Sequence, residues 1–236
     1  MTFDVALLSR VFEVFWVNML LSGDNAILIA LACRNLPPRQ RRLGMVLGSL
    51  TAILLRLVFS LLALPLLGIA GLKLAGALVL VWIASGLIAG EADASAGKIA
   101  SHDRLWRAVR AIALADLVLS LDNVLVIVGI AHDMPWMLVF GVVLSIPLIV
   151  WGADAIGALI TRYPALVLIG AGLIGWAAGQ LALSDALVEP WLNAVTGSET
   201  DLVVPAFAAA LSIAGGMVRH RLTIRRRDRS ENSSGA

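Results

Sequence analysis

The sequence predicts an all-α polytopic membrane protein with seven transmembrane helices, arranged as an inverted 3+3 helix repeat plus one extra helix. Two observations on composition predict the class. Of the residues, 60% are hydrophobic and 14% are charged, whereas soluble domains carry about 25% charged residues. Mean hydropathy is +0.92, and the shortage of charge extends along the whole chain. A third observation, a polar motif that occurs twice inside apolar runs, predicts the repeat.

Seven apolar runs approach or exceed the roughly 20 residues that a membrane-spanning helix needs. They cover about 11–33, 44–66, 70–90, 109–131, 136–158, 164–184 and 202–219. The first run is long, has a polar centre and lacks a small-residue cleavage pattern, so we interpret it as a retained helix. Because Cys33 is the only cysteine, an intramolecular disulfide and a thiolate metal cluster are excluded.

Basic residues sort onto alternate loops. Apart from Arg10, Arg56 and Lys73, every Lys and Arg follows helix one, three, five or seven. The intervening loops carry acidic residues and one histidine, but no Lys or Arg. The positive-inside rule therefore predicts an N-terminus outside the cell and a cytoplasmic C-terminus.

Two pairs of segments match at nearly constant spacing. LLSGDNA at 20–26 corresponds to VLSLDNV at 118–124, and LKLAGALVLVWIA at 72–84 corresponds to LVLIGAGLIGWAA at 166–178. Helices one to three thus resemble helices four to six. A unit of three helices crosses the membrane an odd number of times, so its second copy is inverted, as in many transporters.

The repeat defines the predicted domains. A membrane transport domain covers 1–220, with repeat one at about 11–90, repeat two at about 109–184 and the extra helix at about 202–219. The basic polar tail at 221–236 is expected to be cytoplasmic and disordered.

The repeated motif supplies candidate metal ligands at bilayer depth, namely Asp24, Asn25, Asp122 and Asn123. One Asp at that depth costs about 2.5–3.5 kcal/mol on insertion scales, so two matching copies point to a functional site. Helical spacing places four supporting residues near them: Asn18, Ser22, Asp116 and Ser120.

These side chains offer only hard oxygen atoms, which suit Mg²⁺, Ca²⁺ or Mn²⁺ and poorly suit Zn²⁺ or Cu⁺. A nearby Met19 would favour Mn²⁺ among them. Polar residues in membrane helices also serve simply to bond neighbouring helices, and that reading stays open. Three further charges, Glu13, Arg56 and Asp154, are candidates for a gate or counter-ion, or for pairing and snorkelling alone.

The strings NMLLSGDNAILIA and LSLDNVLVI, within seven helices, resemble the TerC family of integral membrane proteins. The similarity is greatest to its short, single-module bacterial members, which belong to a lysine-exporter-like superfamily. The resemblance implies a multi-pass protein of the bacterial inner membrane that transports metal ions, with Mn²⁺ efflux as the expected activity. It places Asp24, Asn25, Asp122 and Asn123 at the family's motif positions.

The expected function is export of a divalent cation, which is the transported substrate, and no cofactor is expected. Two alternatives remain: export of a small amine or other metabolite, and a membrane scaffold that delivers metal to exported enzymes. Enzymatic activity is not expected, because the sequence holds no nucleophile–base pair or cofactor motif. The expected partners are the metal ion and the lipid bilayer, without nucleic acid; a homo-oligomer is left open.

Overall fold

The computed structural model of the chain describes residues 23–67, 69–90, 101–131, 135–188, 190 and 200–234. Within these ranges it contains helices and no strand. The helices are α1 (Gly23–Cys33), α2 (Pro38–Leu67), α3 (Leu72–Ala89), α4 (Ser101–Ala131), α5 (Pro135–Arg162), α6 (Leu166–Leu183) and α7 (Thr200–Ser234). The all-α class is therefore confirmed.

Several helices have the length and composition of membrane spans. Three apolar stretches in the described part of the chain could cross a bilayer, namely Leu72–Ala89, Leu166–Leu183 and Asp201–Ile224. Helices α2, α4 and α5, with 30, 31 and 28 residues, exceed the length of a span. Of the predicted helix one, only the apolar segment Gly23–Cys33 lies in the described part.

Two helices begin earlier than the sequence predicts. Helix α2 begins at Pro38, since proline is well suited to a first helical position. Helix α4 begins at Ser101 with Asp103 in its first turn, where a carboxylate is favourable.

The tail predicted to be disordered is helical in the structure, because α7 continues to Ser234. Its sequence beyond Met217 contains no glycine or proline up to that residue, and it is rich in Arg, a good helix former. The backbone up to Ser234 is described as helix, and the expectation of a disordered cytoplasmic tail at 221–236 stays a prediction.

Helices α3 and α6 share a buried pattern. Each has 18 residues, and each buries a stripe of small and branched side chains spaced three to four residues apart. In α3 this stripe includes Ala77, Leu80 and Ala84. In α6 the corresponding positions are Ala171, Ile174 and Ala178.

The helices pack in two groups that α1 connects. Helices α3, α6 and α7 pack against one another, and α2 packs against α4. Helix α1 contacts α5, α4, α6 and α2. Glycines allow the closest approach: a methyl group added to Gly175 would lie 2.8 Å from the Cα of Ala209.

Contacts along the helices give their relative directions. Gly44 lies against Leu105 and Gly48 against Ile112, so α2 and α4 are parallel. In α7, Ile213 lies against Gly172 and Ala209 against Gly175, and the two helices α6 and α7 are therefore antiparallel.

Two further pairs run parallel. Ala26 lies against Gly152, and Arg34 and Ile160 line one cavity, so α1 is parallel to α5. Ser85 lies near Gly215, and the Ala89 carbonyl near His220, so α3 is parallel to α7.

The connections between consecutive helices are short, so the end of one helix lies near the start of the next. Together with the contacts above, this places the C-terminal ends of α1, α3, α5 and α7 and the N-terminal ends of α2, α4 and α6 on one side of the helix bundle. We call this side the Arg-rich end, defined by Arg34, Arg107, Arg162 and Arg219.

A buried carboxylate holds α3 and α6 together at the opposite end. Asp185 follows α6, is 1% exposed, and accepts hydrogen bonds from the backbone N–H groups of Gly71 (2.9 Å), Leu74 (3.0 Å) and Leu187 (2.9 Å). Burial alone would raise the pKa of the Asp185 carboxyl. The hydrogen bonds from backbone N–H groups outweigh burial and lower that pKa below its usual value.

Candidate functional site

The first copy of the motif lies at the start of the described part of α1. Asp24 is half-buried and accepts a hydrogen bond from the backbone N–H of Asn25 at 2.8 Å. The Asn25 side chain is 3% exposed, and its Oδ1 atom has no hydrogen-bond partner among the described residues. A buried acceptor without a partner costs about 1–3 kcal/mol. The first copy therefore presents an oxygen atom that is available to a donor or a cation.

The second copy is described in part. Asp116 and Ser120 on α4 are 3% and 0% exposed. The Ser120 hydroxyl donates to Asp116 Oδ2 at 3.4 Å, as their spacing of four residues predicts. A carboxylate is thus buried inside the apolar bundle on α4, which packs directly against α1.

The remaining predicted site residues can be placed only in part. The backbone of Asp122 and Asn123 lies in α4, but their side chains are outside the described part, as are Asn18, Ser22 and Glu13. Arg56 lies in α2, again without a described side chain, and Asp154 lies exposed on α5. Whether both motif copies meet in one site therefore stays a prediction.

Sequence reasoning missed Ser49, a residue of α2 that is 2% exposed. Its Oγ atom has no hydrogen-bond partner among the described residues. Other hydroxyls within the described helices donate to a carbonyl three or four residues earlier, as expected in apolar surroundings; these are Thr51, Ser85, Thr161, Ser212 and Thr223. The Ser49 hydroxyl is buried and lacks this bond.

Packing links the segments around Ser49 and Asn25 through α5. The Met45 side chain, one turn before Ser49, reaches Gly157 of α5. One turn back along α5, Gly152 lies against Ala26, which follows Asn25. Helices α1 and α2 thus each hold a buried oxygen atom that has no hydrogen-bond partner among the described residues.

A signal for Ser49 was present in the sequence. VLGSL at 46–50 and VVLSI at 142–146 align helix two with helix five, so Ser49 corresponds to Ser145. The number of residues that separates Ser49 from Ser145 lies between the separations found for helices one and four and for helices three and six. The serine pair adds a further polar correspondence between the two halves of the sequence, although the Ser145 side chain is outside the described part.

A cavity of about 570 Å³ opens at the Arg-rich end, where α1, α3, α5, α6 and α7 meet. Its polar lining is basic and includes Arg34, His220 and Arg221, and no carboxylate belongs to the described lining. Cations are therefore disfavoured in this cavity, and the carboxylates lie deeper, on α1 and α4.

Chemically, the described site combines carboxylate, amide and hydroxyl oxygen atoms. No cluster of three or more His, Cys, Asp and Glu side chains occurs among the residues that the structure describes. A complete cation shell would thus need Asp122, or Asn and Ser oxygen atoms, in addition to Asp24.

Comparison with known proteins decides the family. The family model described as "Integral membrane protein TerC family" matches residues 3–228. The chain belongs to the TerC family. Among its TerC relatives is the uncharacterized membrane protein YjbE of Bacillus subtilis (strain 168), 36% identical over 169 residues, which are 72% of this chain and 77% of YjbE.

A second TerC relative is the uncharacterized membrane protein YceF of the same strain. It is 29% identical over 171 residues, which are 69% of this chain and 66% of YceF. No solved structure matches this TerC family member. The family and the apolar helices place the chain in a membrane.

Proposed function

We propose that this TerC family protein is a transporter that exports a divalent cation, with Mn²⁺ as the preferred substrate. The observation that carries the proposal is the buried Asn25 Oδ1 atom, next in sequence to Asp24, which has no hydrogen-bond partner among the described residues. An amide oxygen can only accept hydrogen bonds or coordinate a cation. A cation bound there would satisfy the amide oxygen and compensate the carboxylate charge together.

The chemistry of the ligands supports a hard divalent ion. Asp24, Asn25 and Ser49 supply only oxygen, which favours Mn²⁺, Mg²⁺ or Ca²⁺ over Zn²⁺ and Cu⁺. Asp122 and Asn123 would add the second copy from α4, which contacts α1. Two facing carboxylates repel each other unless a cation or a proton intervenes, and a divalent ion neutralises both.

A seven-span topology with an inverted repeat belongs to the same proposal. The alternating helix directions and the matching buried stripes of α3 and α6 support it. By the positive-inside rule the Arg-rich end faces the cytoplasm, and the N-terminus lies outside. Alternating access would then expose a site near the repeat interface to each side in turn.

The basic cavity at the Arg-rich end constrains this mechanism. A free cation that enters from the cytoplasm would pass Arg34 and Arg221, whose field opposes it. The cavity therefore slows cation entry and restricts access from the cytoplasm, and the deeper carboxylates supply the attraction. A singly charged amine would meet about half of this repulsion, and the carboxylates would attract it about half as strongly.

Flux through the purified full-length protein in liposomes tests the proposal. Mn²⁺ movement, read with a quenchable dye, should exceed that in empty liposomes and should be lost in Asp24→Asn. Asp154→Asn is the comparison variant, because that carboxylate is exposed, and its effect on transport should be milder. Binding of Mn²⁺ without flux would favour the metal-delivering scaffold, and movement of an amine without Mn²⁺ would favour the metabolite exporter.

A further inference from the structure

A second cavity, of about 470 Å³, lies between α1, α3 and α4 near the Arg-rich end. Its walls come from all three helices, and two arginines of α4, Arg107 and Arg110, form its charged part. Both arginines are exposed and stand three residues apart, on the same side of the helix. No carboxylate belongs to the described lining.

The charge in this cleft lies at one end. Along α4 the lining changes from Arg107 and Arg110 to Ala111 and Leu114 within two turns. Leu114 is exposed at the surface of the bundle, where the membrane interior is expected. The cleft thus has a cationic end at the membrane interface and an apolar end toward the hydrocarbon.

Aromatic rings border the same cleft. Trp82 of α3 lines it and is 56% exposed. The Arg219 guanidinium of α7 lies 5.7 Å from the centre of the Trp82 ring. The exposed Trp82 ring thus adds an apolar surface beside the arginines, against which an acyl chain can pack.

We propose that this cleft binds one anionic phospholipid. The phosphate would lie between Arg107 and Arg110, and an acyl chain would run along Leu114 and Trp82. A basic pocket between membrane helices at this level is a recognised type of site for anionic lipid headgroups. A free phosphate would make no use of the apolar wall of the cleft. A zwitterionic lipid also carries a cationic group, and the described lining offers no carboxylate to pair with it.

The test uses full-length protein in detergent with added phosphatidylglycerol or phosphatidylcholine, with retained lipid counted by native mass spectrometry. The protein should bind phosphatidylglycerol in preference to phosphatidylcholine, and phosphatidylglycerol should raise the melting temperature of the protein. The R107Q/R110Q variant should bind it about tenfold more weakly, given the size of basic contacts with anionic lipid. R39Q/R42Q is the matched control, since these exposed arginines have the same spacing on α2 and should leave binding unchanged.

Ala111→Phe keeps both arginines and fills the apolar part of the cleft, so it should weaken lipid binding as well. The proposal is overturned if R107Q/R110Q retains full binding or if R39Q/R42Q loses as much. It is also overturned if inorganic phosphate raises the melting temperature as much as the lipid does. None of these results depends on which ion is transported.

Discussion

The carboxylate of Asp185 accepts a hydrogen bond from the backbone N–H of Gly71 at 2.9 Å, across 114 residues of sequence. Gly71 has a φ of +89°, which glycine adopts readily, and it directly precedes the first residue of α3. The free N–H groups of the first turn of α3 thus receive a charged acceptor from the turn after α6. The turn after α6 therefore caps the start of α3.

The cap gives a pH-dependent stability. Because the folded pKa of Asp185 is lowered, its stabilisation is fully present above the unfolded value near 3.8. It is lost as the pH falls through the lower folded pKa. Asp185→Asn should therefore be less stable than wild type at pH 7, by about 2 kcal/mol, and the difference should shrink below pH 4. Thermal unfolding in detergent between pH 3 and pH 7 measures it; an equal deficit at both ends would contradict the cap.

The paired motif predicts that both copies are needed for transport. Asp24→Asn and Asp122→Asn keep the size of the side chain and remove its charge, so membrane levels should stay normal. Mn²⁺ export should fall to background in each single variant, since little attraction for a divalent ion remains. The double variant should be no worse than either single one, because residues of one site are non-additive. Normal export by either well-expressed variant would refute the two-copy site.

Ser49 should contribute to cation binding and little to folding. Ser49→Ala removes a buried hydroxyl that has no partner in the described part of the chain, so stability should stay the same or rise slightly. The affinity for Mn²⁺ should fall several-fold, as expected for loss of one neutral ligand of about 1 kcal/mol. Ser85→Ala is the control, because that buried hydroxyl donates to the Trp82 carbonyl at 2.8 Å. Equal Mn²⁺ affinity in both variants would leave Ser49 outside the site.

The proposed topology predicts opposite sides of the membrane for Glu199 and Ser234. Cysteines introduced as Glu199→Cys and Ser234→Cys should react with an impermeant thiol reagent from the outside and from the cytoplasm, respectively. Cys33 is buried and should contribute little background. Labelling of both positions from the same side would contradict the seven-span arrangement and the inverted repeat.

The basic cavity predicts faster cation entry when its charge is reduced. Arg34→Gln with Arg221→Gln should increase the rate of Mn²⁺ export a few-fold at low ionic strength. The gain should shrink at high salt, because exposed charges are screened. Flux measured at two salt concentrations provides the check. A slower rate at low salt would show instead that these arginines assist transport.

The apolar parts of the helices could be predicted from sequence, and their polar extensions could not. Helix α6 was expected at 164–184 and is found at Leu166–Leu183. Helix α4 is expected from 109 and begins at Ser101. A hydropathy pattern identifies the apolar segment that crosses the hydrocarbon of the bilayer, and it gives no signal for polar helical turns beyond that segment. The same limit applies to α7, which continues as a helix through its Arg-rich sequence.

The candidate site shows a different limit. Asp24 and Asp116 could be found because a carboxylate in an apolar run stands out and its motif repeats. Ser49 did not stand out, since most hydroxyls in apolar helices bond to their own backbone. Only the three-dimensional structure shows that this one does not. The role of Asp185 as a helix cap depends on a fold that brings distant segments together, which local patterns do not contain.

The glycine contacts between α6 and α7 bear on which parts of the protein can move. At Gly175 the backbones of the two helices meet, and a Cβ added there would lie 2.8 Å from the Cα of Ala209. Helix α1 meets Gly170 of α6 through the flexible side chains of Ile27 and Leu31 instead. We therefore expect α6 and α7 to move together as one unit. A working cycle would concentrate its displacement in the hairpins that carry the acidic motifs, and stiffening the contact between α1 and α6 would arrest turnover without touching any ligand.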